Sequence, residues 1–144
     1  MIGEIRQIGY VFKNIDERIK DAEKLLGIKF DRFSAVVKKN IFKEKIEPYK
    51  LDFGIARLGN IQLEYIQPLE GKTIYDPYMK EKGEGFHHIG IFTDEFEKHY
   101  EQFKSNGIKE LTNGIVLGQK FAYFDTSDTV GYICELLAMP KKKK

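Results

Sequence analysis

The chain has 144 residues, 42% of them hydrophobic with 11 Phe and 8 Tyr, which suits one domain with a packed interior. A net charge of +2 gives no reason to expect binding to nucleic acid or membranes, and no apolar run is long enough to span a bilayer. The single cysteine excludes an internal disulfide and favours a reducing compartment, so we expect a cytoplasmic protein.

The first half of the chain predicts a strand, a helix and three further strands. Branched and aromatic residues indicate a strand at residues 5–12, and Asn14 is suited to cap a helix over residues 15–26 that Gly27 ends. Gly59 and Asn60 are typical of a two-residue hairpin turn. The three strands that follow the helix are expected near residues 28–37, 51–58 and 61–67.

The second half predicts the same order after a short linking helix at residues 73–82. A strand is expected at residues 86–93, and a helix at residues 95–105 that ends at Asn106 and Gly107. Three more strands are predicted near residues 108–116, 120–125 and 132–137.

Two short sequence motifs indicate that the halves are copies of one unit. Gly-Ile-Lys follows both helices, at residues 27–29 and 107–109. Gln7-Ile8-Gly9 in the first strand aligns with His88-Ile89-Gly90 in its counterpart, at nearly the same offset. The sequence therefore predicts two βαβββ units related by an internal repeat.

Each copy carries a polar residue in its first strand, Gln7 or His88, and a glutamate in its last strand, Glu64 or Glu135. A duplicated fold brings equivalent residues together, so these four side chains could converge on one ion. Any one of them alone is more often structural, but a lone buried glutamate is costly unless it is compensated. Since strand side chains alternate between faces, we expect His87 and His88 to point in opposite directions, with only His88 inside.

The stretches EGFHHIGIFTDEFE (residues 84–97) and FDT…GYICELL (residues 124–137) resemble the vicinal oxygen chelate superfamily. They are most similar to its glyoxalase I and methylmalonyl-CoA epimerase branch. The resemblance implies an α+β fold, in which two tandem βαβββ modules with curved mixed sheets form a cup-shaped metal and substrate cavity. It implies a single domain at residues 1–140, with module one at 1–70, a linking helix at 71–84, module two at 85–140 and a basic tail at 141–144.

In that family the ligands of a divalent ion come from the first and last strands of each module. The corresponding positions here are Gln7, Glu64, His88 and Glu135. An oxygen-rich set with one nitrogen suits Ni²⁺, Co²⁺, Mn²⁺ or Mg²⁺, and Zn²⁺ also remains open. Extradiol dioxygenases fit less well, because they need two histidines and one carboxylate around iron.

The resemblance implies a lyase or isomerase of the glyoxalase I (lactoylglutathione lyase) or methylmalonyl-CoA epimerase type. Such enzymes abstract a proton next to a carbonyl through an enediolate or enolate, with Glu135 or Glu64 as the base. The ligand order Gln-Glu-His-Glu resembles one glyoxalase I set and departs from the epimerase pattern, in which the first module gives His and then Gln. The resemblance thus implies a thiol hemiacetal or an acyl-CoA as the substrate, and a homodimer is expected. The alternative is a metal-free small-molecule-binding protein of the bleomycin-resistance type.

Two further residues are candidates for substrate binding. Pairing across the two-residue turn sets Arg57 opposite Gln62, so that Arg57 would project into the cup and could hold a carboxylate. The repeat places Tyr123 opposite Glu135, as a possible hydrogen-bond donor. An arginine at the rim and an ordinary packed tyrosine are the alternatives.

Overall fold

The computed structural model describes residues 1–140, so the basic tail predicted at residues 141–144 lies outside the described residues. The predicted order of elements is confirmed. The first unit contains β1 (Glu4–Val11), α1 (Ile15–Leu26), β2 (Asp31–Lys39), β3 (Lys45–Leu58) and β4 (Ile61–Glu70). The linking helix α2 (Tyr75–Lys82) leads to β5 (Gly85–Thr93), α3 (Phe96–Ser105), β6 (Glu110–Val116), β7 (Gln119–Phe124) and β8 (Ile133–Ala138).

All eight strands form one curved mixed sheet in the order β2-β3-β4-β1-β5-β8-β7-β6. Antiparallel pairing of β1 with β5 joins the two units at the centre, and the units therefore pair within one chain. The first and last strands of each unit are parallel neighbours, β1 with β4 and β5 with β8. The two outer strands, β2 and β6, approach each other, so the sheet is nearly closed and forms the predicted α+β cup.

Helices α1 and α3 cover the outer face of the sheet, whereas Tyr75 of α2 lines the cup. Asn14 caps α1 by accepting a hydrogen bond from the backbone N–H of Asp16 at 2.9 Å, and Gly27 ends the helix at a φ of 65°. Ile15 and Ile19 of α1 are buried against the outside of the first unit, as Phe96 of α3 is against the second. Among residues 1–140, no helix is long and apolar enough to cross a membrane. With the outer face covered in this way, the inner face is left to line the cup.

The hairpin of β2 and β3 is longer than the sequence predicts. We expected a strand only from residue 51, but β3 begins at Lys45 and pairs with the far end of β2. Charged residues in this segment stay exposed and interrupt the alternation of apolar and polar residues by which a strand is predicted. The tip is nevertheless anchored, since Ile41 is buried beside α3 and its N–H donates to Asn113 Oδ1 at 3.0 Å. The polar stretch that distinguishes the first copy thus ties the first unit to the second.

Candidate metal centre

The four central strands bring Gln7, Glu64, His88 and Glu135 together inside the cup. Glycines at the same level make this possible: Gly9 pairs with Glu64, and Gly90 pairs with Glu135. A Cβ atom at Gly9 would collide with the ring of His88, and one at Gly90 would lie 2.8 Å from Gln7 Oε1. Each unit's glycine therefore makes room for the polar residue of the other unit. These glycines are visible in the repeat, but their role was missed.

The donor atoms of the four residues are close enough to share one ion. His88 Nε2 lies 3.0 Å from Gln7 Oε1. The same nitrogen lies 3.2 Å from Glu135 Oε1 and 3.5 Å from Glu64 Oε1. Adjacent ligands of an octahedral ion with bonds of about 2.1 Å are about 3.0 Å apart, so this spacing suits one small divalent cation.

Two buried carboxylate oxygens give the strongest sign that a cation belongs here. Oε1 of Glu64 and Oε1 of Glu135 are buried and, apart from the ring nitrogen of His88 at 3.5 Å and 3.2 Å, have no hydrogen-bonding partner among residues 1–140. An unsatisfied buried acceptor costs roughly 1–3 kcal/mol, and more when it is charged. Both oxygens face His88 Nε2, and the ligand atoms of the three residues lie within 4.8 Å of one another. Glu64, His88 and Glu135 could therefore hold a metal ion.

The charges of the centre show the same need for a cation. Burial by itself would lower the pKa of His88, but the negative charges of Glu135 and Glu64 outweigh it and raise that pKa to about 9. Burial raises the pKa of Glu135, although His88 partly offsets the effect. Without a metal, the centre consequently retains a proton on His88 to balance its carboxylates.

The expectation that His87 and His88 point in opposite directions is wrong. Gly9 pairs with His88 and Tyr10 pairs with Phe86, so His87 is an extra residue in β5 and forms a β-bulge. Both histidine rings consequently lie near Tyr123, at ring-centre distances of 5.6 Å and 4.9 Å. Their Nδ1 atoms are 2.9 Å apart. Burial and the neighbouring His88 lower the pKa of His87 to about 2, which keeps its ring neutral.

Two further residues that sequence reasoning missed support the centre. Gln62 accepts a hydrogen bond from Gln7 Nε2 at 2.7 Å, which turns the carbonyl oxygen of Gln7 toward His88. Tyr75 of the linking helix donates to the hydroxyl of Tyr123 at 2.8 Å. Burial raises the pKa of both tyrosines well above the ordinary value, so both hydroxyls stay protonated. The alignment of strands in the repeat could have revealed Gln62, but nothing in the sequence singles out Tyr75.

The centre lies at the base of a cavity of about 360 Å³. Among residues 1–140, the charged residues that line it are all acidic: Asp31, Glu64 and Glu135. Its walls are mostly aromatic and aliphatic, and include Phe33, Leu51, Phe53, Phe121, Tyr123 and Leu137.

The structure places the two predicted substrate residues differently. Tyr123 pairs with Glu135, as expected, and lines the cavity. Arg57 pairs with Gln62, also as expected, but it is exposed and lines an adjoining depression with Arg6. Gln62 lines both the cavity of the cup and this depression. The expectation that Arg57 projects into the cup is therefore wrong, and its role in substrate binding stays a prediction.

Comparisons with known proteins agree with this fold. An uncharacterized protein of Bacillus subtilis (strain 168), YqjC, is 24% identical in an alignment of 125 positions that covers 82% of this chain and 82% of its own. A methylmalonyl-CoA epimerase of Streptomyces coelicolor, solved with 2-nitronate-propionyl-CoA, has a TM-score of 0.74 at 15% identity, covering 100% of this chain and 99% of its own. The epimerase of Mycobacterium tuberculosis has a TM-score of 0.71 at 12% identity, covering 97% and 90%.

Residues 6–124 match the sequence profile of the Glyoxalase/Bleomycin resistance protein/Dioxygenase superfamily. This match extends over most of the chain and includes Gln7, Glu64 and His88, whereas Glu135 lies beyond its end. The chain belongs to the Glyoxalase/Bleomycin resistance protein/Dioxygenase superfamily.

Proposed function

We propose that this protein is a divalent-metal-dependent enzyme of the glyoxalase I or methylmalonyl-CoA epimerase type, which moves a proton at a carbon next to a carbonyl. The observation that carries the proposal is the pair of buried carboxylate oxygens of Glu64 and Glu135, whose one hydrogen-bonding neighbour among residues 1–140 is His88 Nε2, at the base of an apolar cup. The similarity to epimerases supports the fold, and the residues of the centre support the chemistry.

Gln7, Glu64, His88 and Glu135 would hold the ion. When bound, a divalent ion supplies Lewis acidity toward the oxygens of a substrate carbonyl, which makes an adjacent C–H more acidic. Gln62 keeps the carbonyl oxygen of Gln7 directed inward through the hydrogen bond of 2.7 Å. The apolar walls exclude water and so strengthen electrostatic interactions within the cup.

Glu135 is the better candidate for the base that takes the proton. Burial raises the pKa of Glu135 in the metal-free centre, and its side chain is less exposed than that of Glu64. Tyr123 lies directly across from it, with a hydroxyl that is itself oriented by Tyr75. Glu64 approaches from the other unit, so an epimerase could use one carboxylate on each face of the reacting carbon. An isomerase needs only one of them.

The shape of the cup restricts the substrate. A cavity of about 360 Å³ accepts a small reacting group, whereas a glutathione-like thiol or CoA must extend past Gln62 and out of the mouth. There Arg57 would hold a carboxylate or phosphate of the extended part. The ligand order favours a thiol hemiacetal, and the epimerases of the same fold favour an acyl-CoA such as methylmalonyl-CoA. A cytoplasmic location and a homodimer remain predictions.

The test is a substrate screen with the metal-free protein reloaded separately with Ni²⁺, Co²⁺, Mn²⁺, Mg²⁺ or Zn²⁺. Methylglyoxal–thiol hemiacetals and methylmalonyl-CoA would be supplied in deuterated water, and deuterium in the product would report proton abstraction. We expect turnover of one class that requires metal and is lost in Glu135→Gln. Tight binding of these compounds without metal and without turnover would instead support the metal-free binding protein.

A further inference from the structure

His87 is a buried histidine that the proposed reaction does not use. It is 2% exposed and is surrounded by aromatic rings, with Tyr78 at 4.5 Å and Tyr75 at 5.1 Å between ring centres. The β-bulge turns its ring to the same side as His88, where a regular strand would have pointed it away. A bulge in a central strand gives up regular pairing at this residue, so this placement calls for an explanation.

The contact between the two rings restricts where their protons lie. The Nδ1 atoms are 2.9 Å apart, so one nitrogen must donate a proton and the other must accept it. If His87 donated, a neutral His88 would carry its own proton on Nε2, the atom that faces Glu64 and Glu135. That proton would occupy the position of a metal bond. A metal on His88 Nε2 therefore requires that His88 Nδ1–H donates and that His87 Nδ1 accepts.

We propose that His87 is a positioning residue that holds the metal-binding ring of His88 in the Nδ1–H form and in its inward orientation. The inference rests on the metal site proposed above. Histidine ligands usually donate their second N–H to a carboxylate, a backbone carbonyl or water, and loss of that partner weakens metal binding about tenfold to a hundredfold. Here the acceptor is the neighbouring residue in the same strand, made available by the bulge.

Three tyrosine rings surround His87. Its ring is steeply inclined to those of Tyr75, Tyr78 and Tyr123, with interplanar angles of 61°, 77° and 74°. With its own proton on Nε2, the ring leaves Nδ1 free to accept. His87 thus presents an acceptor to the ring that would bind the metal.

The experiment compares His87→Phe, which keeps the ring volume but removes the acceptor, with His87→Asn, whose Oδ1 stands near the position of Nδ1. His99→Phe and His99→Asn are matched controls, because His99 is a buried histidine of α3 that contacts Gln102 and not the cup. Affinities for Mn²⁺ and Zn²⁺ would be measured by calorimetry, and folding by thermal unfolding. Nitrogen-15 spectra of labelled histidines would locate the protons in the metal-free and Zn²⁺-loaded wild type.

We expect His87→Phe to bind both ions about tenfold to a hundredfold more weakly, His87→Asn to recover most of that loss, and both His99 variants to bind like the wild type. The spectra should show His87 bare at Nδ1 in both states. Unchanged affinity in a folded His87→Phe, or a proton on His87 Nδ1, would overturn this inference alone. A wild type that binds none of the ions would overturn the proposed function, whereas the spectra of the metal-free protein would still report the direction of the hydrogen bond.

Discussion

The two units contribute equivalent glutamates to the centre, yet the surroundings of these glutamates differ. Glu64 pairs with Ile55, which offers no hydrogen-bond donor, and its side chain is 12% exposed. Glu135 pairs with Tyr123, which Tyr75 supports, and its side chain is 6% exposed. The internal repeat thus provides a symmetric set of ligands, and the substitutions around one of them prepare it for a distinct role. We interpret Glu64 mainly as a ligand and Glu135 as ligand and base.

The largest effect should come from exchanging each carboxylate for an amide. Glu135→Gln keeps an oxygen ligand but cannot accept a proton, so we expect turnover to fall by roughly 10²- to 10⁴-fold. The turnover of Glu64→Gln should fall much less if the reaction is an isomerisation. It should fall about as much as that of Glu135→Gln if both faces of an epimerised carbon need a base. Steady-state rates with bound metal measured separately would check this. Wild-type rates in both variants would rule out carboxylate-assisted proton abstraction.

Substitution of the two glycines at the centre should also have effects that differ between the units. Gly9→Ala places a methyl carbon 1.9 Å from an atom of the His88 ring, whereas Gly90→Ala places one 2.8 Å from both Cβ and Oε1 of Gln7, a less severe overlap. We expect Gly9→Ala to weaken metal binding about tenfold or more and to lower the free energy of unfolding by roughly 1–3 kcal/mol, with a smaller loss of affinity in Gly90→Ala.

Gly54→Ala is the matched control for these glycine variants, because the added methyl group meets Ile19 on the outer face. It should destabilise the fold and leave metal affinity unchanged. Calorimetric titration and thermal unfolding of the three variants would measure both quantities. Equal metal affinity in Gly9→Ala and Gly54→Ala would show that His88 does not need the space above Gly9.

Metal affinity should depend on pH because of His88, the histidine that the second unit contributes to the centre. The pKa of His88 is raised to about 9, so an ion must displace its proton at neutral pH. Apparent affinity should rise by about tenfold per pH unit up to pH of about 9, and then level off. The stability of the metal-free protein should show the opposite trend and decrease as the pH rises. A raised folded pKa adds stability that is complete below the unfolded value of 6.5 and is lost as pH rises toward 9.

Titrations of the ion between pH 6 and pH 9.5, with thermal unfolding of the metal-free protein over the same range, would test both slopes. A pH-independent affinity in the wild type would mean that no proton leaves the centre when the ion binds.

The smallest effect is expected from the hydroxyl that supports Tyr123. Tyr75→Phe removes one buried hydrogen bond, worth about 0.5–1.5 kcal/mol, so turnover should fall only a few-fold. Tyr78→Phe is the control, because its hydroxyl donates to the backbone carbonyl of Phe86. Rates and metal affinities of both variants would be compared. A Tyr78→Phe loss as large as that of Tyr75→Phe would remove the reason to distinguish Glu135 from Glu64.

Sequence reasoning succeeded where local patterns decide the structure. The helix at residues 15–26 was predicted with its cap and its end, because Asn14 and Gly27 act on their immediate neighbours. The repeat then aligned the central strands, which brought the four polar residues to one place. It failed at His87, since a β-bulge depends on pairing with β1 and not on the local sequence. Tyr75 was missed for a related reason: its partner Tyr123 lies 48 positions away in sequence.

The central claim is that both units bind the same ion, and metal stoichiometry tests it most directly. The metal-free wild type, His88→Ala and Glu64→Ala would each be dialysed against Mn²⁺, Ni²⁺ or Zn²⁺, and bound metal would be measured by elemental analysis against protein concentration. We predict one ion per chain in the wild type and much weaker binding in both variants, one from each unit. A wild type without metal, or a variant that retains one tightly bound ion after loss of His88, would contradict the account.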